Sequence, residues 1–253
     1  LRSRDWAMPE EINRMVTDAI ADVLWTPSSD GDENLLAEGV APERISFVGN
    51  IMIDSYELLR GRIERESTRN DFGLEAEAYG VVTLHRPSNV DRRETLKVLV
   101  ETLTAAASDV PLVFALHPRT HKNLERFDLY ETLAGAEGIH LCGPLSYIRF
   151  MGLVREAKLV ITDSGGIQEE TTYLGIPCLT LRDTTERPIT VSEGTNRLTT
   201  TTELSGLIDT VLAGGWQTGR RPDLWDGRTA ARVADDIRRR SAQGVSPSVR
   251  RRT

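Results

Sequence analysis

The chain has 253 residues, of which 39% are hydrophobic and 27% are charged, so it can bury one large core or two modest ones. Its formal net charge of -7 argues against nucleic acid as the main partner, because binding a phosphate backbone needs a basic face. No apolar run is long enough to span a bilayer, and the first residues lack the apolar core of a signal peptide. The sequence therefore predicts a cytoplasmic protein with no membrane partner.

The chain begins with Leu1 rather than Met and opens on a polar, helix-like segment, which indicates a fragment of a longer protein. Residues 1–70 predict the remainder of an N-terminal Rossmann-like lobe. Helices are expected in MPEEINRMVTDAIADVLWTP (starting at Pro9), SSDGDENLLAEGV and MIDSYELLRGRIERES, with strands at residues 23–26 and in RISFVGN. The charged stretch RGRIERESTRNDFGLEAEAYG places the boundary to a second lobe near residue 70.

Residues 71–240 alternate apolar runs with helical patterns. Strands are expected in YGVVTLH, PLVFALH, GIHLCG, KLVITD and PCLTL, and one helix in HKNLERFDLYETLAG between the second and the third of them. Near-continuous apolar strands separated by helices predict a doubly wound α/β lobe, in which a parallel sheet is covered on both faces. Cys142 and Cys178 lie in such runs without metal-ligand spacing, which favours buried thiols over a disulfide or a zinc site. Residues 241–253 are predicted to be a disordered basic tail.

Histidines follow two of these strands directly. His85 and Arg86 end VVTLHR, and His117 ends LVFALH. Parallel strands that both end in His project these side chains towards one crevice, outside the carboxyl ends of the strands, where such sheets bind ligands. A polar cluster that only ends a strand and starts a helix remains the alternative. His121 is expected on the surface of the next helix, and His140 is expected to be structural.

The stretch KLVITDSGGIQEE places Asp163 at a strand end and starts a helix at Ser164–Gly166. The unpaired N–H groups and the positive end of the helix dipole form an anion site, and the missing β-carbons let a phosphate come close. Glu169 or Glu170 could accept from a ribose diol. The alternative is a tight strand-to-helix turn with Ser164 as the cap.

The polar run RDTTERP follows the last predicted strand. An exposed arginine there is a natural second clamp for a diphosphate, although a solvated charge run explains the same composition. The chain contains neither a P-loop nor a G-x-G-x-x-G motif, which argues against a kinase and a dinucleotide dehydrogenase. The residues thus predict a nucleotide-diphosphate-binding lobe without a metal or a cofactor.

Five stretches together resemble the non-hydrolysing UDP-N-acetylglucosamine 2-epimerase family over roughly residues 1–240: MPEEINR, FVGNIMIDS, VVTLHRPSNVD, HPRT and TDSGGIQEE…LGIPCLTLRDTTERPITVSEGTNRL. The resemblance implies two Rossmann-like lobes of the glycosyltransferase-B type, with the sugar in the cleft between them. It also implies a homodimer that interconverts UDP-N-acetylglucosamine and UDP-N-acetylmannosamine for surface polysaccharide synthesis. The family reaction eliminates UDP to give 2-acetamidoglucal and then adds UDP back.

The resemblance assigns roles to individual residues. Glu10 matches a catalytic carboxylate and His85 a cleft histidine near the diphosphate. Glu170 matches the ribose-binding acid and Arg187 a nucleotide-side clamp. The candidates for substrate binding are Asn13, Arg14, Arg86, His117, Ser164, Gly165, Gly166, Glu170 and Arg187.

Some family features are missing or changed. Leu1-Arg2 resembles the end of the family's Glu-Ala-Gly-Leu-Arg stretch, so its glutamate and a catalytic aspartate would precede residue 1. We therefore expect the chain alone to bind UDP weakly and not to turn over. Ser88 stands where many members have Glu, so the sequence does not choose among UDP-2-acetamido sugars. A glycosyltransferase of the same fold type and a catalytically inactive UDP-sugar-binding module remain open alternatives.

Overall fold

The computed structural model describes residues 1–6 and 8–243, so residues 244–253 of the predicted tail lie outside the described residues. The first part of the chain has the predicted order of helices and strands: α1 (Pro9–Ile20), β1 (Leu24–Thr26), α2 (Ser29–Ala37), β2 (Ile45–Phe47) and α3 (Ile51–Ile63). Strands β1 and β2 pair in parallel as a two-stranded sheet. Short 3-10 helices span Pro42–Arg44 and Thr68–Phe72.

The second part forms a six-stranded parallel sheet, as predicted. Its strands are β3 (Gly80–Thr83), β4 (Leu112–Ala115), β5 (Ile139–Cys142), β6 (Leu159–Thr162), β7 (Cys178–Leu181) and β8 (Asn196–Thr199). The spatial order is β5-β4-β3-β6-β7-β8. The chain therefore winds outwards in both directions from β3 and β6, and the order reverses between these two neighbours.

Helices connect the strands of this sheet. They are α4 (Pro87–Val90), α5 (Arg93–Ala106), α6 (Pro118–Arg126), α7 (Tyr130–Ala134), α8 (Tyr147–Val154), α9 (Gly165–Leu174), α10 (Ile189–Ser192), α11 (Leu204–Leu212) and α12 (Thr229–Ala242). The single helix predicted from HKNLERFDLYETLAG is wrong, since α6 and α7 are separate and Asp128 between them has a φ of 58°. Strand β8 is not among the predicted strands; it comes after PCLTL, the last apolar run that predicts one.

Buried side chains fill both faces of the six-stranded sheet, because neighbouring residues of a strand point to opposite sides. Val82 packs in one core and Val81 in the other. Helix α3 supplies Ile53, Tyr56 and Ile63 to the Val81 core, although it precedes the predicted boundary. That boundary, near residue 70, stays a prediction.

Helix α12 returns the chain to the two-stranded sheet. The indole Nε1 of Trp25 in β1 donates to Asp236 Oδ2 over 2.9 Å. Asp54 in α3 accepts from the N–H groups of Thr229 and Ala230 at the start of α12. The end of the described chain is thus fixed to its beginning by hydrogen bonds across about 200 residues of sequence.

Neither cysteine forms a disulfide: Cys178 is buried, as predicted, and Cys142 is half-buried. His121 is exposed on α6, and half-buried His140 packs edge-on against Phe72. Across the described residues, every helix is too short or too polar to cross a membrane.

Candidate functional site

The candidate site lies where the strand order reverses, between the loops that follow β3 and β6. In open parallel sheets this reversal creates a crevice at the carboxyl edge. His85 follows β3, and Asp163 follows β6, so the sheet places them side by side. His85 Nδ1 lies 3.1 Å from Asp163 Oδ1. The sheet topology thus brings a histidine and a carboxylate from distant parts of the sequence into contact.

Asp163 is fully buried, with 0% of its surface exposed. Its carboxylate accepts from the backbone N–H groups of His85 and Arg86 and from Asn89 Nδ2, at 2.8–3.1 Å. Burial works to raise the pKa of Asp163, but the hydrogen bonds from His85, Asn89 and Arg86 outweigh it and leave the pKa below its usual value. Asp163 is therefore an ionised carboxylate at neutral pH.

The two strand-end histidines meet, as the strand-end argument predicts. Their ring centroids are 5.3 Å apart. They line a cavity of about 220 Å³ together with Ser164 and Ile167. His117 is exposed and also caps α6, since its Nδ1 accepts from the N–H of Arg119. The binding role of both histidines stays a prediction.

Helix α9 begins at this cavity. Ser164 is its N-cap residue in position, but its hydroxyl makes no capping hydrogen bond. The N–H groups of the first turn have no intrahelical acceptor, and the helix dipole adds positive potential there. An uncommitted hydroxyl and free N–H groups favour the anion-site interpretation over that of a simple capped turn.

The two glycines of this turn have different surroundings. A β-carbon on Gly165 would lie 2.5 Å from Arg187 Nη1, so this glycine makes room for the guanidinium. A β-carbon on Gly166 would meet only Met52 Cε, at 3.9 Å. The sequence predicts that the missing β-carbons of both glycines make room for a phosphate. In the structure, the open space lies over Gly166, whereas the space over Gly165 is taken by Arg187.

Arg187 is not the exposed clamp that the sequence predicts, because only 18% of its side chain is accessible. Its Nε lies 2.9 Å from Glu169 Oε2, and its Nη1 donates to Glu186 Oε1. Glu186 also accepts from Arg182 over 2.7 Å. Burial works to raise the pKa of Glu186, but Arg182 and Arg187 outweigh it and bring the pKa to about 2. The guanidinium charge of Arg187 is thus already balanced by carboxylates.

Glu170, the predicted ribose acid, is buried one residue beyond Glu169. Its Oε1 accepts from the hydroxyl of Tyr147 over 2.8 Å. Burial raises the pKa of Glu170 to about 7, with the Tyr147 hydrogen bond opposing the shift and the charge of Glu169 adding to it. The group is therefore ready to change its protonation state near neutral pH.

The two adjacent glutamates of α1 are in opposite environments. Glu11 is 1% exposed and accepts from Ser3, from the Arg4 N–H and from Arg14. Burial alone would raise its pKa, but the hydrogen bonds from Ser3, Arg14 and Arg4 outweigh burial and bring the pKa to about 2. Glu10 is exposed, and its carboxylate forms no hydrogen bond or ion pair with residues 1–6 or 8–243.

The remaining candidates of α1 do not share one position. Arg14 is half-buried in its ion pair with Glu11, at 2.6 Å. Asn13 is exposed, its backbone oxygen accepts from the Thr17 hydroxyl over 2.8 Å, and its side chain forms no hydrogen bond with residues 1–6 or 8–243. Of the three, Arg14 therefore has a structural partner, whereas Glu10 and Asn13 are available to a ligand.

A second cavity, of about 430 Å³, separates the start of the chain from the strand-end loops. Asp5 and Met8 line one side, and Arg86, Ser88 and Arg182 line the other. Burial lowers the pKa of Arg86, helped by the nearby charge of Arg182, while the charges of Glu186, Asp163 and, least of all, Glu10 oppose the shift. Glu10 is thus one of the charges around Arg86.

Known proteins resemble both this sequence and this arrangement. The model of the UDP-N-acetylglucosamine 2-epimerase family matches residues 1–238. The chain belongs to this family. A UDP-N-acetylglucosamine 2-epimerase of Methanocaldococcus jannaschii is 42% identical over 78% of this chain and 56% of its own length. A UDP-2,3-diacetamido-2,3-dideoxy-D-glucuronate 2-epimerase of Pseudomonas aeruginosa is 36% identical over 78% of this chain and 54% of its own length. The chain spans about half the length of these relatives.

A solved structure of the family also matches the fold. It is the Methanocaldococcus jannaschii UDP-GlcNAc 2-epimerase in complex with UDP-GlcNAc and UDP, with a TM-score of 0.80 and 37% identity over 93% of this chain and 67% of that chain. This likeness confirms the predicted glycosyltransferase-B type of fold. The substrate assignments of individual residues in this family member stay predictions.

Sequence reasoning missed four residues of the site. Asp163 was noted only as a strand end, and its contacts with the loop after β3 depend on strand order. Tyr147, Glu186 and Asn89 carry no motif that links them to Glu170, Arg187 or Asp163. The one signal in the sequence is that Asp163 comes directly after an apolar strand, since a carboxylate buried there needs hydrogen-bond partners.

Proposed function

We propose that the protein carrying this chain interconverts UDP-N-acetylglucosamine and UDP-N-acetylmannosamine, by eliminating UDP to 2-acetamidoglucal and adding it back. One observation carries the proposal. The start of α9 has unpaired N–H groups and an uncommitted Ser164 hydroxyl beside the cavity that His85 lines, which suits the binding of an anion, and the uncommitted Glu10 is near enough to Arg86 to affect its pKa. Family membership adds the reaction class.

The nucleotide side of the site has the groups that a UDP moiety needs. The diphosphate would accept from the N–H groups at Gly165 and Gly166 and from the free hydroxyl of Ser164. His85 adds a ring nitrogen on the same cavity. Glu170 would accept from the ribose diol once it is ionised, which its pKa of about 7 allows near neutral pH.

Inverting carbon 2 without redox chemistry requires the removal of a proton that nothing in the sugar activates strongly. The elimination route couples this loss to the departure of UDP. Groups that stabilise the charge building on the leaving diphosphate then lower the barrier, and here they are the α9 dipole and His85. Because Arg187 is already balanced by Glu169 and Glu186, we assign it the positioning of the α9 turn and not the main anion contact.

Of the two α1 glutamates, we assign the acid–base step to Glu10. A catalytic base works best with a pKa near the working pH, and Glu11 has a pKa of about 2 and four hydrogen bonds. Glu10 is uncommitted in the open cleft. Closure of the cleft over the sugar would bring its carboxylate out of solvent and against the substrate.

The sugar is assigned as N-acetylglucosamine, because the Methanocaldococcus relative named for it is 42% identical and the diacetamido-glucuronate relative 36%. The homodimer implied by the resemblance and the cytoplasmic location predicted from the sequence belong to the same proposal. Light scattering on the full-length protein tests the dimer.

The proposal is tested by incubating the full-length protein with UDP-N-acetylglucosamine in heavy water and following carbon 2 by proton NMR. We expect deuterium at carbon 2 and a manno-configured product. Glu10→Gln should abolish both, whereas Glu33→Gln, at an exposed position on α2, should abolish neither. Binding of the UDP-sugar without exchange in the unmutated protein would instead indicate a catalytically inactive module. Product that forms only with an acceptor sugar would indicate a glycosyltransferase.

A further inference from the structure

Asp163 is the most thoroughly buried ionised group at the strand switch, and the reaction proposed above gives it no task. Its carboxylate accepts from the backbone N–H groups of His85 and Arg86 and from Asn89 Nδ2, all in or beside the loop after β3. These contacts hold the loop. A further contact, with the imidazole of His85, is of a different kind because it bears on which ring nitrogen is available to a ligand.

The geometry of this contact limits what His85 can do. Its Nδ1 faces Asp163 Oδ1 at 3.1 Å, and a carboxylate accepts a hydrogen bond but does not donate one. The contact therefore favours the tautomer of His85 that carries its proton on Nδ1, where it can face this carboxylate. The ring side chain is 39% exposed and lines the cavity in front of Ser164, so Nε2 is the nitrogen left for a bound molecule.

The backbone contacts reinforce this arrangement. The same carboxylate accepts from the N–H of His85 itself, at 3.0 and 3.1 Å, so the main chain and the ring of one residue are held by one acid. The side-chain Nδ2 of Asn89 donates both to the Asp163 carboxylate and to the Leu181 carbonyl of β7, each over 3.0 Å. Three neighbouring strands, β3, β6 and β7, thus fix the ring.

We propose that Asp163 is a positioning residue that holds His85 with its proton on Nδ1 and commits Nε2 to the diphosphate of the UDP-sugar. A histidine so held takes a proton on Nε2 and becomes a donor to the phosphate oxygens, and the Asp163 carboxylate balances the imidazolium charge. The diphosphate contact rests on the proposed function; the orientation of the ring does not.

Nitrogen NMR of the full-length protein labelled with ¹⁵N-histidine tests the proposal. In the unmutated protein, the His85 signals should show a hydrogen-bonded proton on Nδ1, and addition of UDP should move the Nε2 signal of His85. A neutral ring with its proton on Nε2, or an Nε2 signal that UDP leaves unchanged at saturation, would overturn the proposal. The His85→Gln variant assigns the signals.

Asp163→Asn supplies the second test, because an amide can donate to Nδ1 and then drives the ring proton to Nε2. We expect kcat to fall about 10- to 100-fold, the typical effect of losing a partner that orients a working histidine. In a His85→Ala background the same change should alter kcat by less than about twofold, because the two residues act as one unit. Equal losses in both backgrounds would show that Asp163 only braces the loop.

Two further variants complete the design. Asn89→Ala removes one donor to Asp163 but leaves the contact with His85, so the His85 tautomer should persist. Asp91→Asn makes the same carboxylate-to-amide change at an exposed ion pair with Arg119, and kcat should stay within about twofold. A wild-type protein that binds UDP at His85 but never exchanges carbon 2 would contradict the proposed reaction and leave the role of Asp163 intact.

Discussion

The carboxylates on the two sides of the cleft have different surroundings. On the strand side, Asp163 and Glu186 are buried and satisfied by hydrogen bonds or arginines, and Glu169 is buried beside Arg187, with burial raising its pKa. On the α1 side, Glu11 is satisfied by hydrogen bonds, but its neighbour Glu10 is open to solvent. The strand side is therefore preorganised, whereas Glu10, to which we assign the acid–base step, stands outside that network.

The change expected to have the largest effect is Glu10→Gln. If Glu10 carries the acid–base step, kcat for exchange at carbon 2 should fall about 10²- to 10⁴-fold, which is the usual share of such a group. The affinity for UDP should stay unchanged, because the nucleotide side is built from other residues. Exchange kinetics measure kcat, and titration calorimetry measures the affinity for UDP. If Glu10→Gln lowered both, Glu10 would also belong to the nucleotide-binding side, and the separation of the two sides would be wrong.

Glu11→Gln tests whether Glu11, the buried glutamate of α1, stabilises the fold. Removing the charge leaves Arg14 without its partner and should destabilise the fold by about 1–3 kcal/mol. The pKa of Glu11 in the folded protein, about 2, lies below its ordinary value of 4.5, so its contribution is fully present above about pH 4.5 and is lost as the pH falls towards 2. Urea unfolding of both proteins at pH 7 and pH 3 should show the difference shrinking at the lower pH; a constant difference would contradict this role.

The two glycines of α9 form a matched pair. Gly165→Ala puts a β-carbon 2.5 Å from Arg187, so we expect a loss of about 1–3 kcal/mol in stability as the guanidinium moves. Gly166→Ala has room for its methyl group and should leave the melting temperature unchanged. If the diphosphate approaches Gly166, the second variant should nevertheless bind UDP at least about tenfold more weakly. Normal UDP affinity in Gly166→Ala would move the diphosphate away from this turn.

The effect of Glu170 on stability depends on pH and involves no catalytic group. Its pKa in the folded protein, about 7, lies above the ordinary 4.5, so the folded state holds a proton that the unfolded state has lost between these values, and stability falls as the pH rises through this window. Glu170→Gln should therefore raise stability at pH 8 by about 3 kcal/mol and do nothing at pH 4. Thermal unfolding at the two pH values measures this, and Tyr147→Phe, which keeps the acid, is the control.

Much of this fold could be predicted from the sequence, because apolar runs and turn residues report local structure. His85, His117 and the α9 turn were found as strand ends, a property visible along the chain. Their grouping around one crevice followed from the parallel sheet. The pattern did not give the separation of α6 from α7, which depends on the left-handed Asp128.

The network behind the site could not be predicted, since it joins residues that only the strand order brings together. Asp163 meets Asn89 across 74 positions, and Tyr147 meets Glu170 across 23. The partners of Arg187 explain why an arginine that resembles an exposed clamp is mostly buried. The resemblance already names Glu10 as a catalytic carboxylate; the hydrogen bonds that Glu11 accepts from Ser3 and Arg4 add the structural reason for leaving Glu11 out.

A crystal structure of the full-length protein with UDP tests the central claim most directly. We expect the diphosphate at the start of α9, within hydrogen-bond distance of the N–H of Gly166 and of His85 Nε2, with the ribose on Glu170 and no contact to Glu10. A diphosphate held by Arg187 away from the α9 turn, or by the α1 side of the cleft, would contradict the account.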